Sequence, residues 1–255
     1  MVELKSLGEI EAMAAAGKVV ATVLEACRAE AAVGVSLLEL DVVARDVLAA
    51  AGATSTFLGY HPRFAPVPYP AVLCTSVNDA ALHGIPSAYA LRAGDVLGLD
   101  VGAEVDGWAA DAAVTVIVGT PAPEDVRLVE ITGTALDDGI AAAVEGNRIG
   151  DVSAAIGAVA VRAGYGVNTD FGGHGIGRRM HEEPSVPNAG RAGRGRPLRP
   201  GLVLAIEPWF LAGGRSAYRI DDDGWTVRSA DGSRTAHQEH TVAITEVGPR
   251  VLTTV

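Results

Sequence analysis

Cysteine is almost missing from this chain: Cys27 and Cys74 are the only two in 255 residues. A disulfide scaffold and a four-cysteine zinc site are thereby excluded, and a reducing, cytoplasmic setting is expected. Positive charge is also in short supply. The 20 Lys+Arg against 31 Asp+Glu leave a formal net charge of −11, whereas a dedicated nucleic-acid binder carries a basic footprint. Long apolar runs are absent as well. The first twenty residues are broken by Glu3, Lys5, Glu9, Glu11 and Lys18, which leaves no secretory core. The Ala/Val-rich stretch from Ala12 to Ala53 is interrupted every few residues by charge, so it reads as helices in water rather than a membrane span. What is present suffices for a large core, at 49% hydrophobic and 20% charged residues. The length is that of one large α/β unit, and residues 1–255 are read as a single domain.

Ile10, Met13, Gly17, Val20, Leu24 and Cys27 recur at helical spacing behind a Ser6/Glu9 capping box. Cys27 on that stripe is core rather than nucleophile. A second box, Ser36/Glu39, opens a helix whose buried face is expected to carry Leu40, Val43, Val47 and Ala50, with Gly52 near its end. Four prolines between His61 and Pro70 exclude helix and central strand and predict a loop at a functional rim. From Asp95 to Val118 the pattern becomes two strands turning at Asp106-Gly107. Helices follow from Glu124 to about Gly146, with Val129, Leu136, Ile140 and Ala143 as the apolar stripe, and from Asp151 to Arg162. Strands are expected at Leu202–Ile206, Trp225–Arg228 and His237–Thr245. This helix, strand, helix, strand order suggests duplication. Leu91–Asp100 matches Leu198–Glu207 in Leu, Arg, Gly, Val and Leu positions, and each segment ends in a carboxylate.

Those carboxylates carry the chemistry. In a hairpin turning at Asp106-Gly107, residue 100 opposes 113 and residue 102 opposes 111, so Asp100 and Asp111 share one sheet face as diagonal neighbours about 7–8 Å apart. Glu207 and Glu239 each enter an apolar strand alone. Buried, unpaired acids are costly, so the four are reconciled if they meet at one positive centre; pairing of each with an Arg, or exposure of the strand acids, is the alternative. Three histidines lie in Gly- or Pro-punctuated loops feeding these strands: His83 in His83-Gly84-Ile85-Pro86, His174 in Gly173-His174-Gly175-Ile176-Gly177, and His181 in His181-Glu182-Glu183-Pro184. His61, His237 and His240 lack that setting and receive no role. Four carboxylates with one to three imidazoles and no thiolate suit Mn, Fe, Co or Zn, and carboxylates can bridge two ions roughly 3.5–4 Å apart. Metal-assisted hydrolysis is the expected reaction class.

In context and order, Asp100, Asp111, His174, Glu207 and Glu239 resemble the five-ligand set of type I methionine aminopeptidases. The resemblance runs from about Ser6 to Thr253 and includes the three His motifs above, Ile206-Glu207-Pro208 and Glu239-His240-Thr241. It implies an α/β (α+β) pita-bread fold: pseudo-two-fold duplicated halves with a central antiparallel sheet covered by helices. It further implies two divalent ions, Asp100 chelating one, Asp111 and Glu239 bridging both, and His174 and Glu207 completing the second. Glu207 would also shuttle a proton, His83 would lie near the scissile nitrogen, and His181 would polarise the carbonyl.

By the same resemblance Tyr60, Tyr69, Cys74 and Trp225 line the methionine slot. Phe57 stands where many bacterial members have Cys, and Met180 where they usually have Phe. The implied activity is removal of the N-terminal methionine from nascent polypeptides with a small second residue, by a cytoplasmic monomer working near the ribosome and away from membranes. The chain lacks the helical insertion of type II members and the cysteine-rich extension of eukaryotic type I members, so the minimal bacterial form is expected. Two other readings stand beside it: an Xaa-Pro peptidase of the same fold, and a non-catalytic binder that kept the fold. The Arg191–Arg199 loop is either a solvated surface or an RNA contact.

Overall fold

The computed structural model describes residues 2–255. Four helices, α1 (Leu7–Glu30), α2 (Leu37–Ala50), α3 (Pro123–Ala142) and α4 (Ile149–Ala163), alternate with antiparallel strands in the order expected. Both capping boxes form: the Ser6 and Ser36 hydroxyls accept from the backbone N–H of Glu9 and Glu39, whose carboxylates reach back to the cap N–H. The face of α1 is the predicted one, and Cys27 is fully buried within it.

Two helical faces are rotated from expectation. In α2 the buried residues are Leu37, Leu40, Asp41, Ala44 and Leu48, while Val43 and Val47 are half-buried and Ala50 is exposed. Asp41 turns inward because its Oδ1 accepts from the backbone N–H of Val72 and Leu73, at 2.9 and 3.1 Å, and a pattern of apolar residues alone is blind to an acid that belongs inside. In α3 the buried stripe is Leu128, Thr132, Ala135, Leu136 and Gly139, with Val129 and Ile140 at its margin. Gly139 is there because Ile156 of α4 lies against it; an added Cβ would come within 2.9 Å of the Ile156 side chain.

The Val96–Val105 and Trp108–Ile117 strands pair in the predicted register, Asp100 opposite Ala113 and Gly102 opposite Asp111. Asp106 and Gly107 have φ of 51° and 76°, as a type I′ turn requires. Two strand expectations are corrected. Val227–Ser229 is the strand, and Trp225 and Thr226 precede it because Asp223 captures both their N–H groups at 2.8 Å. The predicted His237–Thr245 strand is broken into Thr235–His237 and His240–Thr245, with Glu239 in the break.

The duplication is physical. Gly94 and Gly201 both have left-handed φ, 87° and 92°, and donate to Val118 and Ile244 at equivalent places across the following strand. Ala90 bridges the cap residue of α2, Ser36, as Pro197 bridges the cap residue of α4, Arg148. Each half has its own core, α1 and α2 over the first hairpin, α3 and α4 over the Val203–Ile206 sheet. A third cluster joins them: Ile10, Met13, Trp108 and Ala109 from the first half, Ile176, Val203, Ala243 and Leu252 from the second.

The central sheet is divided. The four-stranded sheet around Val96–Val105 and the five-stranded sheet around Val203–Ile206 meet through an isolated bridge between Ala113 and Glu239. On either side of that bridge a threonine hydroxyl extends the ladder. Thr241 Oγ1 accepts from Asp111 N at 2.9 Å and donates to Asp111 O at 2.7 Å; Thr115 Oγ1 does the same for His237, at 2.9 and 2.7 Å. Two acids of the candidate site therefore lie on the seam between halves.

Candidate active site

Every residue predicted from sequence to act borders one cavity of about 370 Å³: Asp100, Asp111, His174, Glu207 and Glu239 with His83 and His181 at its polar end, and Phe57, Tyr60, Tyr69, Cys74, Met180 and Trp225 at its apolar end. Local sequence explains the placement. Gly102 leaves room beside Asp111, since a Cβ there would lie 2.1 Å from Thr56 Oγ1 and 3.4 Å from Asp111 Oδ1. Gly173 and Gly175 let the His174 strand press between its neighbours, because Cβ atoms there would come within 2.3 Å of Ala205 O and Glu183 O. His174 Nδ1 contacts Gly175 O at 2.9 Å, which turns Nε2 toward Glu207 Oε1 at 3.5 Å. His83 sits at a left-handed φ of 58°, and the Gly84 Cα passes so close to Thr75 O that only glycine fits.

Burial sets the charges. It raises the carboxyls of Asp111 to about 7 and Glu207 to about 8, and lifts those of Asp100 and Glu239 well above the ordinary range, with repulsion among the acids adding to the rise in Asp100, Glu207 and Glu239. Burial likewise lowers His83 and His174 to about 4 and His181 and His237 to about 3, so all four imidazoles are neutral near pH 7. The His181 surface is accessible from the cavity, yet its ring is hemmed in by His174 at 4.1 Å and by stacked Tyr60 at 5.3 Å between centroids.

Among the described residues no Lys or Arg forms an ion pair with any of the four acids, which removes the arginine alternative. Asp100 Oδ1, Asp111 Oδ1 and Glu239 Oε1 are buried without any hydrogen-bond partner. Asp111, His174 and Glu239 each offer one ligand atom, all within 4.8 Å of one another, with Asp100 and Glu207 beside this trio. Oxygen donors with one neutral imidazole and three orphaned carboxylate atoms fit divalent metal.

Sequence reasoning missed three participants. His237 lies 3.9 Å from Glu239 and 4.0 Å from Glu207, with Nε2 buried and unpartnered. Its position two residues before Glu239 was the available signal, since alternation puts both on one face. Phe64 and Phe171 flank His83, with ring centroids 6.2 and 5.5 Å away. Both come from irregular segments whose path no periodicity foretells.

Antiparallel halves, an acid–imidazole centre on their seam and an adjoining apolar slot together define a metallopeptidase architecture, and residues 11–246 match metallopeptidase family M24; the chain belongs to that family. Within it, the similarity is to methionine aminopeptidases. The chain is 50% identical to methionine aminopeptidase 1 of Mycobacterium tuberculosis, covering 99% of this chain and 95% of that one. The crystal structure of methionine aminopeptidase from Thermotoga maritima superposes with a TM-score of 0.95 at 38% identity, covering 100% of both chains. Prolidase from Pyrococcus furiosus shares the pita-bread fold, with a TM-score of 0.79 at 22% identity over 99% of this chain and 65% of that one.

Proposed function

We propose that this protein is a methionyl aminopeptidase, acting as one catalytic unit over its whole length to remove N-terminal methionine from nascent polypeptides with a small second residue. The observation that carries the reading is the convergence of four cation-free buried acids on one end of a cavity whose other end is apolar. Asp111 and Glu239, meeting at the seam, would be shared holders of two divalent ions drawn from Co, Mn, Fe or Zn. Asp100 would complete one site, and His174 with Glu207 the other. When bound, the ions supply a water that is deprotonated near neutral pH.

The remaining steps belong to the protein. Phe57, Tyr60, Tyr69, Cys74, Met180 and Trp225 take the methionine side chain and exclude water from it. His181, neutral at the mouth, donates a hydrogen bond to the scissile carbonyl, and His83 stands toward the departing nitrogen. Glu207 accepts the proton from the attacking water and passes it to that nitrogen. We place the enzyme in the cytoplasm as a monomer, near the ribosome where its substrates emerge; no helix among the described residues is long and apolar enough to cross a membrane.

The test is incubation of purified protein with Met-Ala-Ser and Ala-Pro-Ser peptides plus Mn²⁺ or Co²⁺, with products identified by mass spectrometry. Release of methionine from the first peptide alone is expected. Cleavage of Ala-Pro in preference would reassign the chain to the Xaa-Pro peptidases, and failure of both would leave a binding protein.

A further inference from the structure

The apolar end of the cavity is blind: Phe57, Tyr69 and Trp225 are all buried. A polypeptide held by its first side chain there must leave through the mouth, where Thr169, Asp170, His181 and Ser185 are exposed. Ser185 borders not only this cavity but a second, open groove of about 440 Å³. One side of the groove is the Glu182–Val186 strand, which is the free edge of the five-stranded sheet; the other is the first turn of α4 and the loop carrying Arg191, Arg194 and Arg196. Pro184, Pro187 and Ala189 contribute apolar surface.

The loop is fixed from behind. The first amides of α4 donate to it, Ile149 N to Arg196 O at 3.0 Å and Gly150 N to Arg194 O at 2.9 Å. Gly193 N donates to Asp151 Oδ1 at 2.7 Å, and Arg148 Nη1 to Gly195 O at 2.8 Å. Gly150 is needed for this closeness, since a Cβ there would lie 2.2 Å from Arg191 O. Among the described residues none of the Arg191, Arg194 and Arg196 side chains has a hydrogen bond or ion pair, and Glu183 is the one acid lining the groove. Three free guanidinium groups on a pinned loop, in a protein of net charge −11, form a local positive wall beside the exit from the reaction centre.

We propose that this groove is an extended subsite for the substrate polypeptide beyond its third residue, and that Arg191, Arg194 and Arg196 select acidic residues there. The inference rests on the aminopeptidase reading for its substrate. An extended peptide advances about 3.3 Å per residue, so a few residues past the scissile bond carry it over Ser185 and along the free strand edge. A peptide is favoured over RNA because the groove shares Ser185 with the peptide cavity and is partly apolar.

The test compares Met-Ala-Ser-Gly followed by three Glu, three Gln or three Lys, with Met-Ala-Ser as a peptide too short to reach the loop. At low ionic strength kcat/KM is expected to favour the Glu peptide over the Lys peptide by about tenfold, mainly through KM, and the preference should collapse in 0.5 M NaCl. It should also collapse in the Arg191→Ser/Arg194→Ser/Arg196→Ser variant, whose exposed positions leave the fold intact. Fluorescence anisotropy of the labelled product Ala-Ser-Gly-Glu-Glu-Glu provides a readout independent of turnover. Hydrolysis of Met-Ala-Ser without any Glu preference would overturn the subsite alone; Arg-dependent product binding without hydrolysis would overturn the aminopeptidase reading alone. Arg-dependent binding of a labelled RNA hairpin tighter than of the Glu product would also overturn the subsite, making the loop an RNA contact.

Discussion

His83 illustrates what single positions decide. It borders the reaction centre, its Nδ1 is buried without a partner, and burial holds it neutral, yet the proposed ligand set leaves it out. His83→Ala is therefore expected to retain metal, measured by calorimetry, while kcat on Met-Ala-Ser falls by roughly 10²–10⁴, the usual range for a lost acid–base group. Loss of the metal would make it a ligand instead. The slot makes a separate claim. Phe57, Met180, Tyr69 and Trp225 share one buried cluster, and if, as the sequence resemblance implies, Phe57 replaces a smaller residue and Met180 a ring, the two changes would offset and keep a methionine-sized slot. Norleucine should be released nearly as fast as methionine from the Ala-Ser peptide, and Leu and Val at least tenfold slower, a misfit of about 1–3 kcal/mol. Leu preferred over Met would contradict this. Asp100 and Asp111 were legible because a period of two around a Gly turn leaves no freedom, whereas His237 was passed over because its neighbours carry none of the glycine punctuation that drew attention to the other histidines.

Among the elements, the N-terminal segment before α1 does more than its length suggests. Lys5 is buried, its Nζ is 2.7 Å from Glu182 Oε2, and its backbone N–H donates to Gly201 O at 2.7 Å. Gly177 exists to admit it, since a Cβ there would lie 2.5 Å from Lys5 Cε. This ties the duplicated turn at Gly201 to the residue following His181. Lys5→Met leaves half-buried Glu182 with the Arg179 N–H but without its cation and is expected to cost about 1–3 kcal/mol, read as a lowered urea midpoint at unchanged slope. A change under 1 kcal/mol would mean that water replaces the ammonium. Capping boxes and the hairpin were readable because their determinants are local. The inward face of α2 was not, since it depends on Asp41 meeting a loop thirty residues away. The Pro-rich loop was read as a loop at a functional rim, but its course was not legible, because it is set by Trp225 Nε1 donating to Val67 O at 2.9 Å and by the Gly59–Tyr69 and Tyr69–Tyr60 backbone bonds closing its base.

For the whole molecule, the centre is a store of protons when metal is withheld. The folded carboxyls of Asp111 and Glu207, at about 7 and about 8, hold protons that the unfolded chain releases near 3.8 and 4.5. Stability from this source is fully present below the unfolded values and is lost as pH rises through the folded ones, so metal-free protein should lose Tm between pH 5 and 8. Divalent ions held by these carboxyls, as proposed, would displace those protons, so their affinity would rise over the same window. The rise in Tm produced by Mn²⁺ is accordingly expected to grow from pH 5 to pH 8, with chelator reversing it; an increment independent of pH would separate the metal site from these carboxyls. Duplication was visible in the sequence as two ten-residue segments alike at five positions, but the seam was not. Ala113 opposite Glu239, flanked by two threonine rungs, is a pairing over more than a hundred residues that neither segment announces.

That seam makes the enzyme a gauge of its own assembly. Asp111 is anchored in one half and Glu239 in the other, and beside them the halves meet through one backbone bridge and two threonine hydroxyls, backed by the shared apolar cluster of Ile10, Trp108, Ile176 and Val203. A small shear between halves, which leaves each core and nearly all helical signal in place, pulls the acids out of register. Inactivation in rising urea should therefore run ahead of the loss of far-ultraviolet circular dichroism. Activity therefore requires residues near 239 to have closed against the first hairpin.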